Sequence, residues 1–155
     1  MKVGIIQLNA GNIKRSLEIY RKLDFGENWS SKAKFNYGTA LVTNECFEQG
    51  WKYYEYRWEV FPHNKVAWPF KGKPIWKGQT GKRVAIWREQ GIGDDIIFLS
   101  LVPEVNQMCS RLSVYVDPRL EPLCRRAMPE INFIHDKKTL KREKCDYHLP
   151  IQSIG

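Results

Sequence analysis

Arg83-Val-Ala-Ile-Trp-Arg-Glu-Gln-Gly-Ile-Gly-Asp-Asp-Ile-Ile-Phe98 is the stretch whose reading decides the fold. The apolar run Val84 to Trp87 predicts a buried strand, and Gly91 and Gly93 predict the turn that ends it. A helix is expected at or just after Asp94, carrying Ile96, Ile97, Leu99 and Val102 inward. Glycine has no Cβ to keep a ligand from the backbone. The first turn of a helix adds free N–H groups and the positive end of the dipole, so the turn suits an anion or a polar ligand. Glu89, Gln90, Asp94 and Asp95 are the side chains there that can do chemistry. The third glycine of a dinucleotide fingerprint is absent, with Ile96 in its place, and no Gly-Lys-Ser/Thr follows. Neither NAD nor ATP is therefore expected at this turn, and no cofactor is assigned. A purely structural reading makes Asp94 an N-cap and Asp95 an acidic first-turn residue.

Downstream, strand and helix alternate. A helix is expected over 94–110, strands over 113–117, 131–134 and 146–150, and a second helix over 118–128 with Pro118 in its first turn. Such an order implies an α/β fold with a parallel sheet and right-handed crossovers, whose ligands collect outside the carboxyl ends of the strands. That edge is expected to hold Glu89 to Asp94, Asp117 and His148. Between the last two strands, Lys137, Lys138, Lys141, Arg142 and Lys144 form a basic run, read as a solvated loop or short helix. Binding of an anionic partner is its alternative, and it would be steeply salt-dependent. No helix-turn-helix or RNA-binding signature accompanies it, so nucleic acid is not the expected partner.

Upstream, residues 1–64 repeat themselves. A shift of 34 residues lays Gly4 on Gly38, Ser16 on Gly50 and Tyr20 on Tyr54. Helices are expected over 1–9, 12–24, 31–43 and 46–60, with Gly11 in the first turn between them. Ile13, Leu17, Tyr20 and Leu23 make one apolar face, and Phe47, Trp51, Tyr54 and Trp58 another, read as core between stacked helices. Residues 65–82 form a junction: Pro69, Pro74, Gly72, Gly78 and Gly81 exclude long regular elements. Trp68, Phe70, Ile75 and Trp76 are too apolar for a free tether, so this segment is expected to lie across a surface and glue the repeats to the α/β domain.

Composition bounds the rest. The chain has 155 residues, a net charge of +8, 43% hydrophobic and 13% aromatic residues, which describes a globular protein of one or two small domains. No apolar run reaches the roughly 18 to 20 residues of a membrane span, and the N-terminus lacks a secretory pattern. The four cysteines form no Cys-x-x-Cys pair and no zinc spacing with the three histidines; reduced thiols in a cytoplasmic protein are expected, with Cys109 and Cys124 on helices.

Three motifs in this order carry a resemblance: Asn36-Tyr-Gly-Thr-Ala-Leu41, Gly50-Trp-Lys-Tyr-Tyr-Glu-Tyr-Arg-Trp58, and Arg88-Glu-Gln-Gly-Ile-Gly-Asp94. They resemble bacterial tetratricopeptide proteins whose repeats run into a heptosyltransferase-like glycosyltransferase domain. Trp76-Lys-Gly78 and Asp146-Tyr-His-Leu-Pro150 are similar to further motifs of that group. The resemblance implies tetratricopeptide hairpins over 1–64 and, over 83–155, the acceptor-side Rossmann-like half of a GT-B fold. It implies Asp94 as general base toward an acceptor hydroxyl, with Glu89, Gln90, Gly91 and Gly93 shaping the acceptor pocket and no catalytic metal. Acceptors would be glycans or proteins. The nucleotide-sugar donor belongs to a C-terminal half that this sequence does not contain, so this chain by itself is expected to be inactive in sugar transfer. The alternative is a protein-binding module without catalysis, with Asn36 and Tyr37 in the repeat groove.

Overall fold

The computed structural model describes residues 10–22, 29–61 and 68–155. The chain divides into two compact units after Ala67. The partial helix expected over 1–9, and the parts expected of Gly4 and Leu23, lie outside the described residues.

The first unit contains helices α1 (Ile13–Arg21), α2 (Ser31–Thr43), α3 (Phe47–Tyr54) and the single turn α4 (Arg57–Val60). Ser30 opens α2, its side chain accepting from the Ala33 N–H at 3.3 Å. The 34-residue offset recurs in the backbone itself. Gly11 (φ 78°) and Glu45 (φ 61°) are both left-handed. The next residues, Asn12 (φ −82°, ψ 63°) and Cys46 (φ −84°, ψ 62°), cap α1 and α3 with matching dihedrals. Asn44 secures the second of these turns, its Nδ2 donating to the carbonyls of Ala40 (2.7 Å) and Ile13 (3.1 Å).

Two glycines set how closely α2 and α3 approach. A Cβ on Gly38 would lie 2.6 Å from the Tyr54 backbone nitrogen; one on Gly50 would lie 2.9 Å from that of Val42. Each helix thus presents a glycine to the other's backbone. Around this crossing Leu17, Tyr20, Tyr37, Ala40 and Leu41 make the core, flanked by Trp29, Cys46 and Tyr53.

The expected aromatic face of the fourth helix is corrected by this packing. The helix breaks at Glu55 and Tyr56, and Gly50 is the buried residue of α3. Phe47 is 52% exposed, Trp51 and Tyr54 are half-buried, and Trp58 is buried on the separate turn α4. Close approach needs the side with no side chain, so the bulky residues are displaced to the flanks.

The second unit is a four-stranded parallel sheet in the order β3-β2-β1-β4, made of β1 (Arg83–Trp87), β2 (Arg111–Tyr115), β3 (Asn132–Ile134) and β4 (Tyr147–Pro150). Between β1 and β2 run α5 (Ile92–Leu99) and α6 (Val102–Met108); α7 (Glu121–Ala127) joins β2 to β3, and α8 (Lys137–Arg142) joins β3 to β4. The single helix expected over 94–110 is thus two, separated at Ser100 and Leu101, and Cys109 falls just beyond the second. Register puts Ile86, Val114, Phe133 and Leu149 on one face. The chain steps from β1 to β2 to β3, then returns past both to β4. Right-handed crossovers therefore put α8 on the face opposite α5 to α7. There Ser113 meets Glu143 (2.9 Å) and Asn132 (2.9 Å).

The rest of that second face is covered by the junction. Trp68 lies against Trp87 and His148, and Phe70 against His148. Ile75 bridges His148 in parallel, with the Trp76 N–H donating to the His148 carbonyl and the His148 N–H to that of Pro74. Residues 68–76 are therefore part of the α/β unit, supplying the layer that shields β1 and β4. Arg83 ties the start of β4 to β1 through three bonds to Asp146, from Nη2 at 2.6 Å, from the backbone N–H at 2.9 Å and from Nε at 3.2 Å.

Opposite stability changes are expected from two glycine exchanges. Gly38→Ala forces apart two backbones in contact and should lower stability by about 1–3 kcal/mol despite alanine's better helix propensity. Glu45→Gly relieves a left-handed residue worth ~1–2 kcal/mol, less ~0.4–1 kcal/mol for a looser unfolded chain, so stability should rise by up to about 1 kcal/mol. Urea unfolding of both variants checks the pair.

Candidate functional site

The sheet's strand order reverses direction between β1 and β4, which makes their carboxyl ends a topological switch point, the usual ligand crevice of such a sheet. The turn 88–94 leaves β1 at this point, and the 3-10 turn Ile151–Ser153 leaves β4 beside it. Trp87 pairs in register with Pro150, so Glu89 and Gln152 stand two residues beyond matched positions. They meet: Glu89 Oε1 accepts from the Gln152 N–H at 3.2 Å, and Gln90 Nε2 donates to Gln152 Oε1 at 3.1 Å. Glu89 and Gln90, both expected in the pocket, are brought together by the buried Gln152, which the sequence pattern does not single out. The parallel register is the signal that could have found it.

Arg88 fixes the turn from beneath. Its Nε lies 2.8 Å from Asp95, its Nη1 donates to Asp117 at 2.9 Å, and its Nη2 donates to the Gln90 carbonyl at 3.2 Å. One guanidinium thus joins the end of β1, the first turn of α5, the loop after β2 and the turn itself. Asp95 is fully buried, and burial pushes its carboxyl up to about 6 against the opposing pull of Arg88. Asp117 goes the other way, since the Arg119 guanidinium and backbone N–H hold it well below the usual carboxylate range.

This pull on Asp95 also corrects the phase of the helix. The helix begins at Ile92, with Gly91 as its cap, two residues before the expected start. Its inward residues are Asp95, Phe98 and Leu99, whereas Ile96 and Ile97, expected inside, are 57% and 66% exposed. Asp94 is not the N-cap. It is the third residue of the helix, half-exposed, and its carboxylate accepts from the Gly91 N–H at 3.1 Å. The expectation of an anion cradle is altered by this geometry, because two carboxylates already sit in the first turn and one takes a free N–H. A neutral, hydroxyl-bearing ligand suits the turn better than a phosphate. Gly93 meets nothing within 4 Å of a built Cβ, and Gly91 meets only Asp94 itself at 3.5 Å, so both leave the backbone open.

Two expected residues lie elsewhere. His148, placed by sequence at the carboxyl edge, is fully buried beneath Trp68, Phe70 and Trp87. The Trp87 indole N–H donates to its Nδ1 at 2.9 Å. An indole can only donate, so Nδ1 carries no proton and the ring is the neutral Nε2–H tautomer. Burial holds its pKa below the ordinary value. Tyr37, expected in a repeat groove, is 5% exposed, with its ring 5.1 Å from Tyr53 and 5.7 Å from Tyr20. It belongs to the core because Gly38 brings α3 over it. Asn36, its neighbour, is half-exposed.

Comparison with known proteins adds one relative and no family. The chain is similar to Protein FlbA of Caulobacter vibrioides, 31% identical over 103 residues, which is 63% of this chain and 17% of that protein. The chain thus spans less than a fifth of the curated relative it matches. No family model matches the chain, and no solved structure matches it. No helix among the described residues is long and apolar enough to cross a membrane.

The buried titratable groups give opposite pH dependences. His148 is neutral in the fold and protonates near 6.5 when unfolded, so its contribution is complete above pH 6.5 and is lost as pH falls. Asp95, raised to about 6, takes up its proton in the fold first, so its contribution grows as pH falls through 6. In His148→Asn, where the amide oxygen can still accept from Trp87, the drop in melting temperature between pH 7.5 and 5.5 should shrink. An unchanged drop would place the titration elsewhere.

Proposed function

We propose that this chain is the repeat-bearing, acceptor-side portion of a glycosyltransferase-like protein, with Asp94 as the general base. The observation that carries the reading is the turn 88–94 at the β1/β4 switch point. It is held rigid by Arg88 and Gln152 and presents a half-exposed carboxylate beside two glycines. The 34-residue recurrence of the Gly11 and Glu45 turns supports the tetratricopeptide reading of the first unit. On this reading the acceptor hydroxyl lies against Asp94, whose carboxylate takes the proton as the oxygen attacks the anomeric carbon of a donor sugar. Glu89 and Gln90 frame the pocket, and the donor is bound by a nucleotide-binding half outside this sequence.

A second reading, a protein-binding module, has one observation in its favour. Glu45, Cys46, Phe47, Glu48, Gln49 and Lys52 line a surface hollow of ≈ 650 Å³ around the exposed Phe47. An apolar side chain with a basic neighbour would fit it.

Backbone amide shifts during titration with oligosaccharides separate the two. Acceptor binding should move Glu89 to Asp94 and Ile151 to Ser153; shifts confined to Glu45 to Lys52 on titration with peptides, and none with sugars, would favour the module. In a longer chain that also carries a donor-binding half, Asp94→Asn should reduce transfer by about 10²–10⁴-fold without loss of folding. Full turnover in that variant would remove Asp94 from the chemistry.

A further inference from the structure

The basic run between β3 and β4 becomes a sorted surface in the fold. Lys137, Lys138, Lys141 and Arg142 of α8, with Lys144 just after it, are all exposed, while Leu140 is buried against the sheet. The acidic residues of the same stretch are turned to internal duties. Asp136 caps α8, accepting from the Thr139 N–H at 2.8 Å. Glu143 is held by Arg111 at 3.2 Å and by Ser113 at 2.9 Å. Asp146 is clamped by Arg83, which pulls its carboxyl down to about 2. None of these three carboxylates pairs with the run, and among the described residues none of the five cations has an ion-pair partner. The result is a patch of five cations on one short helix and its exit, on a chain whose net charge is +8.

We propose that α8 and Lys144 form an electrostatic docking surface for a bilayer rich in acidic lipid headgroups. Clusters of four to eight cations on a helix read as binding acidic headgroups, since each adds attraction to the negative surface. Four of the five are lysines, compact hydrated charges that match a diffuse headgroup layer, whereas bidentate recognition of a fixed phosphate favours arginine. The outer side of α8 carries no aromatic ring on which a base could stack. Its six residues span only about 9 Å, too short to follow a nucleic-acid groove. A flat anionic surface asks only for charge density, which this helix supplies. The inference does not depend on the glycosyltransferase reading.

Co-sedimentation of the whole chain with vesicles tests it, comparing phosphatidylcholine alone with phosphatidylcholine containing phosphatidylglycerol, at low and high salt. Binding to the anionic vesicles only, weakening with salt, is expected. The variant K137Q/K138Q/K141Q/K144Q should lose about fivefold in partitioning per charge removed. A control with equal charge loss in the first unit, K14Q/K22Q/K32Q/K52Q, should retain most of the binding; melting curves confirm that both fold. Equal losses in the two variants would mean adsorption by net charge and overturn the proposal. So would failure to bind anionic vesicles, or tighter binding to polyuridylate or duplex DNA through the same lysines.

Discussion

A guanidinium that leaves water needs charged or polar groups close by, and three parts of the chain bring them to Arg88. Asp95 comes from α5, Asp117 from the loop after β2, and the Gln90 carbonyl from the turn between β1 and α5. Breaking a buried pair costs about 3–5 kcal/mol, whereas exposed pairs such as Lys52–Glu48 contribute about 0–1 kcal/mol. The Arg88 cluster therefore dominates the local electrostatics, and several features of the unit depend on it. Asp95 is drawn inside, which sets the rotation of α5 and leaves Ile96 and Ile97 in solvent. The turn 88–94 is tied back at the Gln90 carbonyl, and Asp94 ends as the third helical residue, bonded to Gly91.

The same cluster explains why the helix phase was not legible in the sequence. Apolar periodicity assigns inward positions to Ile96 and Ile97 and has no means of knowing that an aspartate will be buried instead. A pairing partner seven residues away is invisible to a pattern that counts hydrophobic residues. The strands were legible, since short apolar runs between turn residues have few other uses; Arg83–Trp87 forms where the pattern puts it. The 34-residue repeat was legible too, and the paired left-handed residues Gly11 and Glu45 give it a backbone counterpart. The aromatic stripe misled because Gly38 and Gly50 decide which side of α3 can face α2.

For the site, the sequence located the turn but not the groups that hold it. Gln152 lies 63 positions from Glu89 and is placed by the parallel register of β1 and β4, a relation that exists only once strand order is known. His148 was misplaced for the complementary reason. Its place near the end of a strand reads as part of the ligand edge, yet the junction residues Trp68, Phe70 and Ile75 fold back over it and make it interior. An aromatic-rich connector that covers a sheet face looks, in sequence, the same as one that glues two domains.

Amide hydrogen exchange in Arg88→Lys is the most direct measurement of whether Arg88 organises the turn. Lysine keeps a charge but cannot reach three acceptors in fixed directions. Faster exchange at Gly91, Asp95 and Gln152, with the β1–β2 ladder still protected, is the expected result. Unchanged protection at those three amides would contradict it, leaving the turn to be held by its own backbone and Arg88 as one ion pair among others.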